Sequence, residues 1–405
     1  MQLSSERARL IDEHPCLATV VGMWPMEIGG VKTRLPFYVF PIDILCYNAN
    51  NGRLAMDRRQ WEADNDRQLD GCSREDAAIL RDMLLTLDKD KTLGLKEDIR
   101  KKGQMEPGVI SNDGVVINGN RRMAVIEELH REEPTGKWET LEAVRLPKGI
   151  SEKDLWKIEA GLQLSKDRVA EYHPVNELLK IKEGVDRALT PEEVAAAMYG
   201  WKADHVKDAL ERLALIDSFL EFLGQGGNYG AIKTFGLHES FVDVQRAVIA
   251  RAERRGIPKQ EIANRVGYVF ALMRAGIQMQ SGDRSGRKGF THWDIRNLDR
   301  VFEDAHARAA FTKQLEAADD MRAVAEDDVV EGFRNAKDIL AMKEQRDRPI
   351  RLVEKAISAL ESINTNSEHF RSAEVREAME RLSAVVREVQ DRLSEHAGNG
   401  DIGLA

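Results

Sequence analysis

Hydrophobic positions along this chain change their period at about residue 150. Before that point, short runs of β-branched and aromatic residues alternate with stretches whose apolar positions recur three and four apart. From Ser151 onwards every apolar pattern is helical. Val115, Val116 and Ile117 predict a short buried strand. Asp113-Gly114 in front of it predicts a two-residue hairpin turn, because both residues tolerate positive φ. Asn118-Gly119-Asn120 ends the run, and Met123, Ala124, Ile126 and Leu129 then recur at helical spacing. The local plan is strand, glycine turn, helix, with Arg121 and Arg122 in the helix's first turn.

The rest of the first 150 residues follows the same alternation. Ser5 to His14 predicts a helix, followed by a Gly-containing apolar segment from Val20 to Val31. Phe37-Tyr-Val-Phe-Pro-Ile-Asp-Ile-Leu45 predicts a strand, and it delivers an Asn/Gly turn that ends at Arg53. Residues 54–92 are strongly charged, and Ala77, Leu80, Met83, Leu84 and Leu87 are spaced for one amphipathic helix. Leu93 to Lys102 predicts a second helix, with Gly103 closing it at C′. A strand is expected to start at Met105, and Glu142 to Leu146 predicts a returning strand.

Beyond Ser151, a plausible N-cap, the elements are helices with readable starts. Pro174 stands at an N1 position, and Thr190-Pro-Glu-Glu opens a short capped helix. Gly200-Trp201 turns the chain into a helix over 202–213, which gives helix–turn–helix spacing. Its candidate DNA contacts are Lys202, His205 and Lys207. Asp204, Asp208 and Glu211 balance Lys202, Lys207 and Arg212, so DNA binding and a structural docking pair both stay open. Gly224 to Gly230 follows a helix instead of a strand and reads as a linker. Helices are expected over 241–254 and 258–273, then a basic loop at 281–289 with Arg284, Arg287 and Lys288. Val375, Met379, Leu382, Val386, Val389 and Leu393 alternate four and three apart, an a/d seam. The tail is therefore expected to be a helical hairpin that dimerises or packs on the body.

Composition narrows this picture. The net charge of −9 removes bulk attraction to nucleic acid or anionic membrane, so any such contact must be local. The low aromatic content suits helices more than a β-sandwich. Cys16, Cys46 and Cys72 are too few and too scattered to predict a disulfide framework or a CxxC metal site, which fits a reducing compartment. With no signal-peptide pattern and no apolar run of membrane length, a cytoplasmic protein without a membrane partner is expected.

The candidate chemistry centres on Arg121 and Arg122. A helix start is already positive, and two more cations there are unfavourable by about a few tenths of a kcal/mol each. A bound anion reverses that sign, using backbone N–H groups and two guanidinium forks. Pairing with Glu127, Glu128 or a distant carboxylate is the alternative.

Three elements in order carry a family resemblance. These are Pro41-Ile-Asp-Ile-Leu followed by Asn48-Ala-Asn-Asn-Gly-Arg53, then Leu95 to Gly103 with Gly103-Gln-Met-Glu-Pro107, then Val116-Ile-Asn-Gly-Asn-Arg-Arg-Met-Ala124. Together they resemble the N-terminal domain shared by ParB partition proteins and sulfiredoxin. Ile158 to Gln163 and Tyr172-His-Pro-Val-Asn-Glu177 are similar to that family's second nucleotide-contacting motif, and the likeness spans about residues 38–220. The resemblance implies nucleotide binding, CTP or ATP, by Arg53, Gly103, Gln104, Pro107, Asn118, Gly119, Asn120, Arg121, Arg122 and Gln163. It also implies Mg²⁺ bridging the phosphates.

There are departures from the family's pattern. Asn120 and Glu106 stand where the family usually has Glu or His, and Gln. Ala160-Gly161 replaces a Glu-Asn pair, which leaves Glu159 as the metal ligand and catalytic carboxylate to consider. The resulting expectation is an α+β protein with a small mixed-sheet domain, a helix–turn–helix region and a helical tail. Its parts are an extension (1–34), a nucleotide-binding domain (35–150, inserted at 54–92), a helix–turn–helix domain (151–223), a further helical domain (224–349) and a hairpin (350–405). Three functions stay open. One is a dimeric, nucleotide-dependent protein that engages DNA or a protein partner; another is an enzyme of the same fold (a triphosphatase, an ATP-dependent nuclease or a small-molecule kinase). The third is a non-catalytic adaptor.

Overall fold

A computed structural model describes residues 5–134, 136–164, 172–281 and 292–398. The chain is α+β, with one mixed six-stranded sheet near its start and helices thereafter. It divides into two units, 1–336 and 337–405.

Helix α1 (Ser5–Asp12) precedes the strands β1 (Gly22–Ile28), β2 (Val31–Pro41), β3 (Cys46–Tyr47), β4 (Gly108–Ile110), β5 (Val115–Asn118) and β6 (Thr140–Arg145). The sheet order is β1-β2-β6-β4-β5-β3. β6 runs parallel to β4, and β5 parallel to β3; the other neighbours are antiparallel.

The segment from Val20 to Val31 is the sheet's outer hairpin. It turns at Gly29 (φ 58°) and Gly30 (φ 80°), where two successive positive φ values suit glycine. The boundary expected at residue 34 therefore falls inside β2. The strand expected over 37–45 instead ends at Pro41, which has no N–H for a ladder, and passes through a 3₁₀ turn before β3. The turn at Asp113-Gly114 is also longer than expected. Ser111 to Gly114 form a four-residue loop in which Val115 N–H bonds the Ser111 hydroxyl at 2.9 Å, and Gly114 takes φ 83°.

Residues alternate across the sheet, as a two-residue period requires. Ile110, Val116, Leu141 and Ala143 face one core, while Val109, Ile117, Val144 and Leu146 face another. The first core is covered by α3 (Arg74–Thr86), α4 (Lys89–Lys102) and α5 (Asn120–Glu132), the second by α6 (Glu152–Gln163). Helix α2 (Ala55–Asn65) precedes α3. Leu54, Leu69, Leu80 and Leu84 are all buried in the first core, so the stretch 54–92 contributes side chains to that core.

Cys46 and Cys72 are joined by a disulfide with Cα atoms 4.7 Å apart, which corrects the expectation drawn from their separation in sequence. The loop before α3 folds back on β3, where Tyr47 N–H bonds the Gly71 carbonyl at 3.2 Å. A side chain at Gly71 would strike the Tyr47 carbonyl oxygen, so the close approach needs glycine.

Helices α7 (Pro174–Asp186) and α8 (Pro191–Ala197) begin where their starts predict, and Thr190 and Glu193 form a full capping box; α9 (Ala203–Phe222) begins after the Gly200-Trp201 turn without a side-chain cap. α9 runs past the expected end at 213 because Ile216, Phe219 and Leu220 continue its buried stripe. Then come α10 (Tyr229–Thr234), α11 (His238–Asp243), a π-helical turn (Val244–Ile249), α12 (Ala250–Arg254), α13 (Lys259–Ser281), α14 (His292–Glu303) and α15 (Ala305–Ala317). Most of the basic loop expected at 281–289, including Arg284, Arg287 and Lys288, lies outside the described residues.

α16 (Glu326–Glu361) continues through Pro349, and α17 (Ala373–Gly398) follows. On α17, Met379, Val386, Val389 and Leu393 are exposed. Among the described residues no helix is long and apolar enough to cross a membrane.

Candidate functional site

The junction of β5 and α5 is where the sequence places its chemistry. Gly119 takes φ 108°, and a Cβ there would press on the Gly108 backbone. No side chain caps the helix start that follows. Asn120 is buried and used on both sides: its Oδ1 accepts from Asn48 N–H at 2.9 Å, and its Nδ2 donates to the Val116 carbonyl at 2.6 Å. It thereby fastens the turn at 48–53 to the first residue of α5.

A cavity of about 370 Å³ opens at this junction. Arg53, Lys91, Arg121 and Arg122 supply its cations, Asn51, Asn118 and Asn120 its amides, and Leu84 and Leu95 its apolar lining. Among the described residues no carboxylate lines it, but Asp88 lies 3.3 Å from Lys91 and Glu106 3.9 Å from Arg122 beside it.

Helix direction adds to the positive character. Lys96 bonds Glu128 (2.6 Å) and Glu132 (2.8 Å), and one turn on, Arg100 bonds Glu132 (2.8 Å) and Glu133 (3.1 Å). α4 and α5 therefore run parallel, and the first turns of both border the cavity; that of α4 is capped by the Asp88 carboxylate, whereas that of α5 has no side-chain cap. Of the acids near the arginine pair, Glu106 lies 3.9 Å from Arg122, while Glu127 and Glu128 are engaged elsewhere. Glu127 takes Tyr47 and Arg81, and Glu128 takes Lys96.

The remaining sequence candidates surround the cavity without lining it. Gly103 ends α4 with φ 76°. Gln104 bonds the Glu142 backbone on β6 in both directions, at 2.6 and 3.0 Å. Pro107 leads into β4. Arg122 donates to the Glu106 carbonyl at 2.6 Å, which ties this loop to α5.

Behind the 48–56 turn lies a buried polar cluster. Glu159, 5% exposed, accepts from Lys180 Nζ at 2.7 Å, Gln163 Nε2 at 3.1 Å and Gly52 N–H at 3.4 Å. Lys180, 1% exposed, also bonds Glu183 at 2.9 Å. Burial pushes the Glu159 carboxyl above its ordinary range. Burial works to lower Lys180, but the two carboxylates outweigh it and hold the ammonium above its usual value. Tyr172 donates to Gln163 at 3.1 Å, and its hydroxyl fills the space a side chain at Gly52 would need. Asn176 bridges Met56 N–H (3.0 Å) and the Arg53 carbonyl (2.8 Å).

These positions bear on magnesium. Glu159 is committed to Lys180, and among the described residues no group of three His, Cys, Asp or Glu could hold a metal. Among the described residues the cavity's lining supplies no carboxylate for a metal ion.

Lys202, His205 and Lys207 are exposed at the start of α9, with Lys207 3.6 Å from Asp204, and they do not line the cavity. Sequence reasoning missed Lys91, Leu84 and Lys180, and named Asn176 only within the Tyr172–Glu177 motif. Of the three, only Lys180, a lysine inside the apolar run Leu178 to Ile181, carried a signal. A scan against family models finds none that matches this chain, and a search of curated proteins likewise finds no match.

Proposed function

We propose that this is a ParB-like protein that binds a nucleoside triphosphate, CTP or ATP, at the start of α5, and engages DNA or a DNA-associated partner according to its nucleotide state. The observation that carries the reading is four cations and two parallel helix starts gathered at one cavity. A polyanion there would gain charge-assisted bonds from several of them at once.

In this reading the phosphate oxygens accept from the Arg121 and Arg122 backbone N–H groups and from the side chains of Arg53, Lys91 and Arg121, with Leu84 and Leu95 as the apolar wall. A bound triphosphate would draw Arg53 and Lys91 together. Because Glu159 and Asn176 hold the Arg53 turn from behind, that movement would reach α6 and α7, and through α7 the helices at 191–222. Lys202, His205 and Lys207 are the DNA contacts in this scheme, and the α17 seam is its dimer contact. The commitment of Glu159 to Lys180 favours binding without hydrolysis, the adaptor end of the range, over a triphosphatase, nuclease or kinase.

A thermal-shift series with CTP, ATP, GTP and UTP, with and without magnesium, tests the reading. One triphosphate is expected to raise the midpoint, and Arg121→Ala to remove that rise. No shift with any of the four would overturn the proposal.

A further inference from the structure

We propose that Cys46 and Cys72 form a reversible thiol-modification site that governs how firmly the cavity is assembled. The ligand in this inference rests on the polyphosphate reading above; the chemistry of the site rests on the fold alone.

The disulfide joins the two stretches of chain that build the cavity from outside β5 and α5. From Cys46 the chain passes through Tyr47 into the turn that brings Asn51 and Arg53 to the lining. From Cys72 it enters α3 and α4, which bring Leu84, Lys91 and Leu95. The cysteines are 26 positions apart, so the bond closes a loop that contains all of α2. Cross-linking a loop removes conformational freedom from both stretches at once.

The partners differ in access. Cys46 is 2% exposed inside the sheet, its N–H bonded to the Gly114 carbonyl at 2.9 Å, whereas Cys72 is exposed. An incoming thiolate from a dithiol reductant therefore attacks Cys72 sulfur. The S–S bond breaks, a mixed disulfide forms on Cys72, and Cys46 leaves as a thiolate that takes a proton. The reductant's second thiol then displaces Cys72. One dithiol becomes a disulfide, and one protein disulfide becomes two thiols. The reverse exchange with a small disulfide closes the site again.

Reduction leaves the Tyr47 N–H to Gly71 carbonyl bond and the α3 core contacts in place, so the expected result is a loosened cavity, not an unfolded domain. With Arg53 and Lys91 less firmly placed, affinity for a polyanion should fall by about tenfold.

The test uses the full chain, oxidised with glutathione disulfide or reduced with dithiothreitol. Thiol alkylation followed by mass measurement should count one thiol (Cys16) in the oxidised state and three in the reduced state. Inorganic tripolyphosphate is then titrated calorimetrically into both states and into Cys72→Ser, which removes the bond at its exposed end. Oxidised protein should bind about tenfold more tightly than the other two, and Cys72→Ser should ignore redox state. Amide exchange over 48–53 and 73–92 should be faster in the reduced protein and in Cys72→Ser. Equal affinities with unchanged exchange, or a protein that shows three thiols after oxidation, overturn the inference. If the oxidised protein binds no tripolyphosphate, the polyphosphate reading fails. The exchange data then decide the latch alone: faster exchange upholds it and unchanged exchange rejects it.

Discussion

The two sides of the 48–56 turn treat positive charge in opposite ways. Behind it, Lys180 is buried between Glu159 and Glu183, at 2.7 and 2.9 Å, and its carbonyl takes the Trp156 indole N–H. In front, Arg53, Lys91, Arg121 and Arg122 border a cavity whose described lining residues include no carboxylate. A cation that serves the fold is given its counter-charge at home, because an uncompensated buried charge costs several kcal/mol. Around the cavity the counter-charges lie at the margin, with Asp88 3.3 Å from Lys91 and Glu106 3.9 Å from Arg122. Under the proposed reading, these are the cations that an outside charge would engage.

The largest effect should come from the rear side. Lys180→Met strands a buried Glu159 beside Glu183 and should lower unfolding stability in urea by ~3–5 kcal/mol. Adding Glu159→Gln to it should recover part of that loss. A double variant no more stable than the single one would break the claim that the two act as a pair. On the front side, Arg121→Ala and Lys91→Ala should each weaken triphosphate binding by ~10–100-fold, the loss of one charge-assisted hydrogen bond. Stability in the same variants should stay within ~0.5 kcal/mol of the parent. If these variants lose stability and keep affinity, front and back do not differ as argued. Asn176→Ala links the sides, since it leaves Met56 N–H and the Arg53 carbonyl without their partner. It should lower both stability, by ~1–2 kcal/mol, and triphosphate affinity.

How much of this the sequence carried depends on the range of the interactions involved. The strand–glycine–helix box, the Gly103 helix end and the caps at Ser151, Pro174 and Thr190 were readable because each is set by residues within one turn of itself. Gly29-Gly30 between apolar runs was also a legible hairpin signal, passed over because the flanking segments are short. Lys91 was not legible: it is one of several lysines in a charged stretch, and it reaches the cavity only because α4 lies parallel to α5. The Cys46–Cys72 pair was hidden for the same reason, since it depends on a loop folding back over an edge strand. Glu159 stood out only through the family resemblance, but its partner sits 21 residues away on the next helix, and only that partner decides its role.

The smallest effect is a pH dependence at the start of α7, the helix that carries Asn176 and Lys180 behind the turn. His173 caps this helix by accepting Val175 N–H on Nδ1 at 3.2 Å, and its ring lies 5.7 Å from that of His238. Burial, then the neighbouring His238 and Lys233, lowers its pKa from 6.5 to about 4. The folded value lies below the unfolded one, so as pH falls through 6.5 the unfolded chain takes up a proton that the native chain refuses. The stabilisation is complete above pH 6.5 and is lost progressively towards pH 4. Discounted for the ring's partial exposure, the loss should be about 1 kcal/mol. Asn is an equally good cap and does not titrate, so His173→Asn should match the parent in urea unfolding at pH 7.5. By pH 4.5 it should be the more stable of the two. Parallel stability curves across that interval would mean that His173 is protonated in the folded protein and that the cap is made some other way, which would loosen the rear support from which the front of the site takes its shape.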